Sequence, residues 1–291
     1  MHRRSFLAGA LALPALRSAF SVTAPTFGCA AITWGGNDRA AIDDVAALGF
    51  RGIQLRASAV ARWGERPGEV KELLASRNLA FVALSSGNVR LDPAAEADDL
   101  ALHERNAKFV QDAGGTFLQV TDERPVGRTP TPEDFRRMSR LLTEIGKRAA
   151  DRGVALAYHN HMGNLGQAPD EVARVLDAVD PRYVRLLLDV AHYQAAGGDP
   201  VDAVRRYRDH LSFLHLKDLQ RPAPDGAADS YRFVELGRGA VNLPGVLAEL
   251  GRAGYQGWAI VELDRVTDPA RTPRECTQTS KDYLAKIGYH I

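Results

Sequence analysis

The chain has 291 residues, 45% hydrophobic and 25% charged, proportions that suit a folded protein with one substantial core. Its 37 basic and 36 acidic residues balance, so the charge points to neither a nucleic acid nor an anionic membrane as partner. Its two cysteines permit one disulfide, but a core of this size needs none, and Cys29 and Cys276 are expected to be free, buried thiols.

Residues 1–22 stand apart from the rest. "MHRRSFLAGALALPALRSAFS" sets Arg3 and Arg4 before a short apolar run that Pro14 interrupts. That run is too short to span a bilayer, and a removable segment is the better reading. The pair followed by Ser5-Phe6-Leu7 resembles a twin-arginine signal, which implies export of a folded protein to the periplasm. Residues 23–291 then form one catalytic domain.

From residue 27 the chain alternates β-rich runs with helical ones. The expected strands are "GCAAIT" (28–33), "GIQLR" (52–56), "AFVALS" (80–85), "TFLQVT" (116–121), "VALAYH" (154–159), "VRLLLDV" (184–190), "LSFLHLK" (211–217) and "WAIVEL" (258–263). Between them lie segments with helical apolar spacing, such as "PEDFRRMSRLLTEIGKRAADRG", opened by the cap and first-turn proline of Thr131-Pro132. Eight strand-then-helix units predict an α/β fold, a (β/α)8 TIM barrel. A doubly wound open sheet is the alternative, but no GxGxxG turn follows the first strand.

Strand parity sharpens that expectation, because residues two apart share a face. Ile53 and Leu55 oppose Gln54 and Arg56; Leu118 and Val120 oppose Gln119 and Thr121; Leu156 and Tyr158 oppose Ala157, His159 and His161. Leu214 and Leu216 oppose His215 and Lys217, and Ala259 and Val261 oppose Ile260 and Glu262. One set is apolar throughout, while the other turns polar toward the strand C-termini, where barrel enzymes carry their chemistry.

The polar set at that end contains Gln54, Arg56, Gln119, Thr121, His159, His161, Asp189, His192, His215, Lys217 and Glu262. Asp189 ends "RLLLD", a run that reads as buried on both faces, so its carboxylate needs a cation or strong donors. With His215 and Glu262 from the next strands it makes a mixed nitrogen and oxygen set suited to one divalent metal: Mn2+, Mg2+, Co2+ or Zn2+. Lys217 and Asp218 read most simply as a solvated pair at the start of a loop. The stretch 218–239 is long and rich in Pro, Asp, Ala and Gly, and it reads either as a lid over the mouth or as a surface excursion.

"YHNH", "LLLDVAHYQAAGGDPV", "FLHLKD", "VELGRG" and "AIVELD", in that order, resemble the xylose isomerase-like TIM barrels of the sugar phosphate isomerase/epimerase group. The resemblance covers roughly residues 27–288. It implies a divalent metal held by Glu, Asp, His and Glu from the fifth to eighth strands. By position Asp189, His215 and Glu262 match the last three, and His192 matches a substrate-binding histidine. The first glutamate is missing; its place falls at Ala157, so that His159, or His161 beyond it, becomes the fourth ligand, with Gln167 a weaker candidate.

The function expected from that resemblance is a metal-dependent isomerase or epimerase acting on a sugar or keto-sugar through an enediolate. Glu262, His159 and His161 would handle protons, while Arg56, Gln54, His192 and Lys217 would hold substrate. The alternatives are a dehydratase or other lyase acting on a keto-inositol or keto-glycoside, and a non-catalytic periplasmic sugar-binding barrel. The expected partner is a small sugar or polyol, with no nucleic acid and no membrane span; a homo-oligomer is compatible with all of these.

Overall fold

The computed structural model describes residues 24–222 and 230–291; the twin-arginine segment and the middle of the expected lid, 223–229, lie outside them. In chain order the elements begin β1 (Thr26–Ala30), α1 (Asp38–Ala47), β2 (Gly52–Arg56), α2 (Ser58–Trp63), α3 (Pro67–Ser76), β3 (Ala80–Val89) and α4 (Glu96–Asp112). They continue with β4 (Phe117–Asp122), α5 (Pro132–Ala150), β5 (Ala155–His159), α6 (Pro169–Ala178), β6 (Val184–Asp189), α7 (Val190–Ala195) and α8 (Pro200–Tyr207). The last are β7 (Leu211–Leu216), β8 (Asp218–Gln220), β9 (Arg232–Val234), α9 (Leu243–Arg252), β10 (Trp258–Val261) and α10 (Pro273–Lys286).

Eight parallel strands close in the order β1-β10-β7-β6-β5-β4-β3-β2, and β8 with β9 makes a separate antiparallel ribbon. This is the TIM barrel that the alternating pattern predicts. The first expected strand is misplaced at its C-terminal end. Residues 31–34 form a 3-10 turn closed by Gly35 at φ +61°, a left-handed conformation that glycine adopts without steric cost.

Parity holds around the barrel. Leu156, Tyr158, Leu186, Leu188, Leu214, Leu216, Ala259 and Val261 face outward into the core shared with the helices. Ala30, Val82, Ala83, Ala157, Leu187, Phe213 and Ile260 fill the interior as a separate apolar layer. Each buried Leu or Phe contributes about 1.5–3 kcal/mol. That layer plugs the lower barrel, so the next inward positions along the strands, the polar ones, are pushed to the C-terminal rim.

The helices are stopped and started locally. Thr131 caps α5 through a reciprocal pair of bonds with Asp134, worth about 1 kcal/mol. In β3 the register to β4 slips between Ser85 and Gly87, so Ser86 is a bulge residue. Its hydroxyl is 2.7 Å from His103 Nδ1 and accepts from Asn106 Nδ2, both on α4, which ties the bulge to its helix. Gly87 follows at φ +118°, a conformation strained for any side chain. Cys29 and Cys276 are free and buried.

Candidate metal centre

Four neighbouring strands deliver the donors. Asp189 ends β6 and pairs in register with His215 of β7, so the two stand at one level; Glu262 follows β10, two residues beyond the Ile260 that pairs with His215. His159 ends β5. One donor atom from each of His159, Asp189, His215 and Glu262 lies within 4.8 Å of all the others, and all four residues are buried. His215 Nδ1 is 3.5 Å from Asp189 Oδ2 and 3.4 Å from Glu262 Oε1, and His159 Nε2 is 3.9 Å from Asp189 Oδ2.

The free valences of these groups converge. His159 donates from Nδ1 to the Asn160 carbonyl, which leaves Nε2 for the cluster. Asp189 Oδ1 is satisfied by the amides of Ala191 and His192, the cap of α7. Asp189 Oδ2 and His215 Nδ1, by contrast, are buried with no hydrogen-bond partner. Buried polar atoms without a hydrogen-bond partner are costly, and a cation that displaced the His215 proton and bound between them would remove the cost. The residues therefore fit a divalent metal of mixed nitrogen and oxygen preference.

The electrostatics agree. Burial alone would lower the pKa of His215, but the carboxylates of Glu262 and Asp189 push it up to about 9. Burial would raise the pKa of both carboxyl groups. The imidazole of His192 and the ammonium of Lys217 hold Asp189 well below the carboxylate range, and His215 and Lys217 do the same for Glu262. Burial, reinforced by the charge of His215, lowers His159 to about 3, so its ring is neutral and able to ligate. The space between the two carboxylates thus favours positive charge.

Lys217 departs from the solvated pair expected with Asp218. It is wholly buried, 3.0 Å from Glu262 Oε1 and 3.8 Å from Asp189 Oδ2, and also bonded to Asp264. The ring of Phe233, on β9, lies 4.3 Å from its ammonium. Asp218 faces the other way and is buried too: its carboxylate accepts from the amides of Leu219, Gly237, Gly239 and Val241, which closes the loop that carries the ribbon.

The fourth donor of the cluster is His159, the residue expected to stand in for the missing glutamate. Ala157 lies one layer lower, in the apolar plug, and His159 itself reaches the cluster. Gln167 is used locally, accepting from the Gly163 amide. His161 stands beside the cluster, its ring 3.9 Å from that of His192, with Nδ1 donating to the Met162 carbonyl and Nε2 left free. His192 accepts the Met162 amide at Nδ1, and burial lowers its pKa well below the usual value.

A cavity of about 690 Å³ opens over this rim, lined by Arg56, Ser85, Asn88, Gln119, Thr121, His159, His161, His215, Glu262 and Asp264 among others. Of the residues expected to hold substrate, only Arg56 is on its wall. Gln54 is in the barrel interior, bonded to His215 and Gln119, and His192 and Lys217 lie behind the wall. Asp264 was missed by sequence reading, although it shares the face of Glu262 two residues on. A larger cavity, about 940 Å³, lies at the opposite barrel end against Phe27, Arg51, Arg252 and Tyr289, away from the cluster.

The profile of the xylose isomerase-like TIM barrel family matches residues 42–287. The chain belongs to that family. Among its relatives, the inosose dehydratase of Lacticaseibacillus casei is 27% identical over 266 residues, 84% of this chain and 87% of that protein. The rhizopine catabolism protein MocC of Rhizobium meliloti is 33% identical over 176 residues, 56% of this chain and 54% of its own length. Among solved structures, IOLI protein with a binding zinc atom superposes at TM-score 0.76 and 18% identity, covering 90% of this chain and 97% of that one. The probable 3-DHS dehydratase AsbF of Bacillus anthracis gives 0.72 and 16%, covering 89% and 98%. At such identities these two likenesses speak for the fold. No helix among the described residues is long and apolar enough to cross a membrane.

Proposed function

We propose that this xylose isomerase-like barrel is a divalent-metal-dependent dehydratase of a keto-polyol of the inosose kind. The observation that carries the metal is the pair of buried polar atoms without a hydrogen-bond partner, Asp189 Oδ2 and His215 Nδ1, inside the His159/Asp189/His215/Glu262 cluster. The choice of elimination over isomerisation or epimerisation rests on the inosose dehydratase names of relatives that align along most of the chain. The export signal read at Arg3-Arg4 would put this activity in the periplasm.

A dehydratase of this kind removes the proton next to a ketone and then expels a hydroxyl from the following carbon as water. When bound, the cation would polarise the ketone oxygen and stabilise the negative charge that develops there. His161 faces the cavity with Nε2 free and is placed to accept the proton. Asp264, on the cavity wall and fixed by Lys217, is placed to orient a substrate hydroxyl. Gln119, Thr121, Asn88 and Ser85 offer amides and hydroxyls to a neutral, oxygen-rich ring.

The test is incubation of the Mn2+-loaded protein with 2-keto-myo-inositol in D2O. Accumulation of an unsaturated or diketone product, lost on chelation, supports the proposal. Deuterium exchange with a new epimer and no loss of water would instead favour an epimerase. A protein that binds the ketone with no exchange is a sugar-binding barrel.

A further inference from the structure

Gln54 lies inside the barrel, off the cavity wall, and its carbonyl Oε1 is 2.8 Å from His215 Nε2. A carbonyl oxygen only accepts, so Nε2 must carry a proton, and Nδ1 is the ring nitrogen left to exchange its own proton for a cation. Nδ1 is the atom that faces Asp189 and Glu262. The direction of the Gln54 amide agrees with its other neighbours. Its Nε2 donates at 3.0 Å to Gln119 Oε1, and that oxygen also accepts the hydroxyl of Ser85, so it has only lone pairs to offer Gln54. A reversed Gln54 amide would set oxygen against oxygen at Gln119 and nitrogen against N–H at His215. The chain of bonds runs from β3 through β4 and β2 to β7 and ends on one imidazole tautomer.

We infer that Gln54 is a positioning residue for the metal centre: it selects the Nε2–H tautomer of His215 and so presents Nδ1 as the metal donor. Gln119 and Ser85, which line the cavity, hold Gln54 in that orientation. Outer hydrogen bonds of this type orient a ligating histidine and raise its basicity, and their loss typically costs about 10–100-fold in metal affinity. The inference rests on the metal reading proposed above, but not on which reaction the site performs.

The experiment is zinc affinity by competition with a chromophoric chelator on the wild type, Gln54→Met and Gln54→Glu, with 15N-histidine NMR of the zinc-loaded proteins. Wild type should show His215 ligated through Nδ1 with a protonated Nε2. Gln54→Met, which keeps length but loses the acceptor, should bind zinc about 10–100-fold more weakly. Gln54→Glu, which keeps an acceptor for His215 and whose second oxygen can take the Gln119 amide once that side chain turns over, should restore affinity to within about tenfold of wild type. An unchanged affinity in Gln54→Met, or ligation through Nε2 in the wild type, overturns the role of Gln54 alone. A wild type that binds no zinc overturns the metal centre and this inference with it. Should Gln54→Met not fold, the NMR spectra of wild type and Gln54→Glu decide.

Discussion

Lys217 Nζ stands 3.0 Å from Glu262 Oε1, and the two groups form an ion pair sealed inside the rim of the barrel. A lysine rarely occupies such a place unpaired, and here three carboxylates, of Glu262, Asp189 and Asp264, surround it and raise its pKa against burial. Three carboxylates against the charges of Lys217 and His215 leave the cluster net acidic.

Lys217→Met is therefore expected to destabilise the metal-free protein by about 3–5 kcal/mol, because it strands buried carboxylates. Saturating Mn2+ should recover part of that loss, since a cation that binds only the folded state stabilises it by mass action. Thermal unfolding with and without Mn2+ reads both effects. A variant as stable as wild type without metal would contradict the buried charge cluster.

His159 supplies the position where the family resemblance implies a glutamate. His159→Ala should weaken Mn2+ binding by more than the roughly 100-fold that loss of an outer hydrogen bond reaches, because a donor itself is removed. Chelator competition measures it. Ala157→Glu should not substitute, because Ala157 is packed in the apolar plug one layer below.

Much of this site was legible in the chain, and the misses have physical causes. Period-two alternation placed His159, His215 and Glu262 at one rim because a barrel strand allows only two faces. It placed Gln54 there as well, but could not tell a side chain that looks into the cavity from one that looks across to a neighbouring strand; that depends on strand tilt and register. Lys217 and Asp218 read as solvated because Lys–Asp at a strand end usually is. Their burial comes from the β8–β9 ribbon folding back, through four backbone amides held by Asp218. Ala157 was assigned the missing ligand's place because sequence alone does not give the height of a residue in the barrel.

Asp122, at the end of β4, gives a pH signature outside the cluster. Burial lifts its pKa from 3.8 to about 6, although Tyr158 and the amides of Gly166 and Leu165 hydrogen-bond to it. A carboxyl that titrates higher in the folded than in the unfolded chain contributes stability that is complete below pH 3.8 and lost as pH rises through 6. Asp122→Asn should flatten the stability profile across that window by at most about 1.4 kcal/mol per pH unit. Urea unfolding at a series of pH values checks it, and an unchanged slope would exclude Asp122 as its source.

His161 rests on the loop that Asp122 anchors and has its Nε2 free at the cavity. His161→Gln should reduce kcat by about 10²–10⁴-fold, the usual contribution of a proton-transfer group, with Mn2+ affinity little changed. Steady-state kinetics on 2-keto-myo-inositol beside metal titration separates the two. A loss of metal in that variant would move His161 from proton transfer to ligation.

The most direct measurement is the metal content of the protein after loading with Mn2+ and gel filtration, for wild type and Asp189→Asn. One equivalent per chain in the wild type and almost none in the variant is the predicted result, because Asp189 Oδ2 has no hydrogen-bond partner of its own. A wild type that emerges without metal, or a variant that retains a full equivalent, would contradict the account.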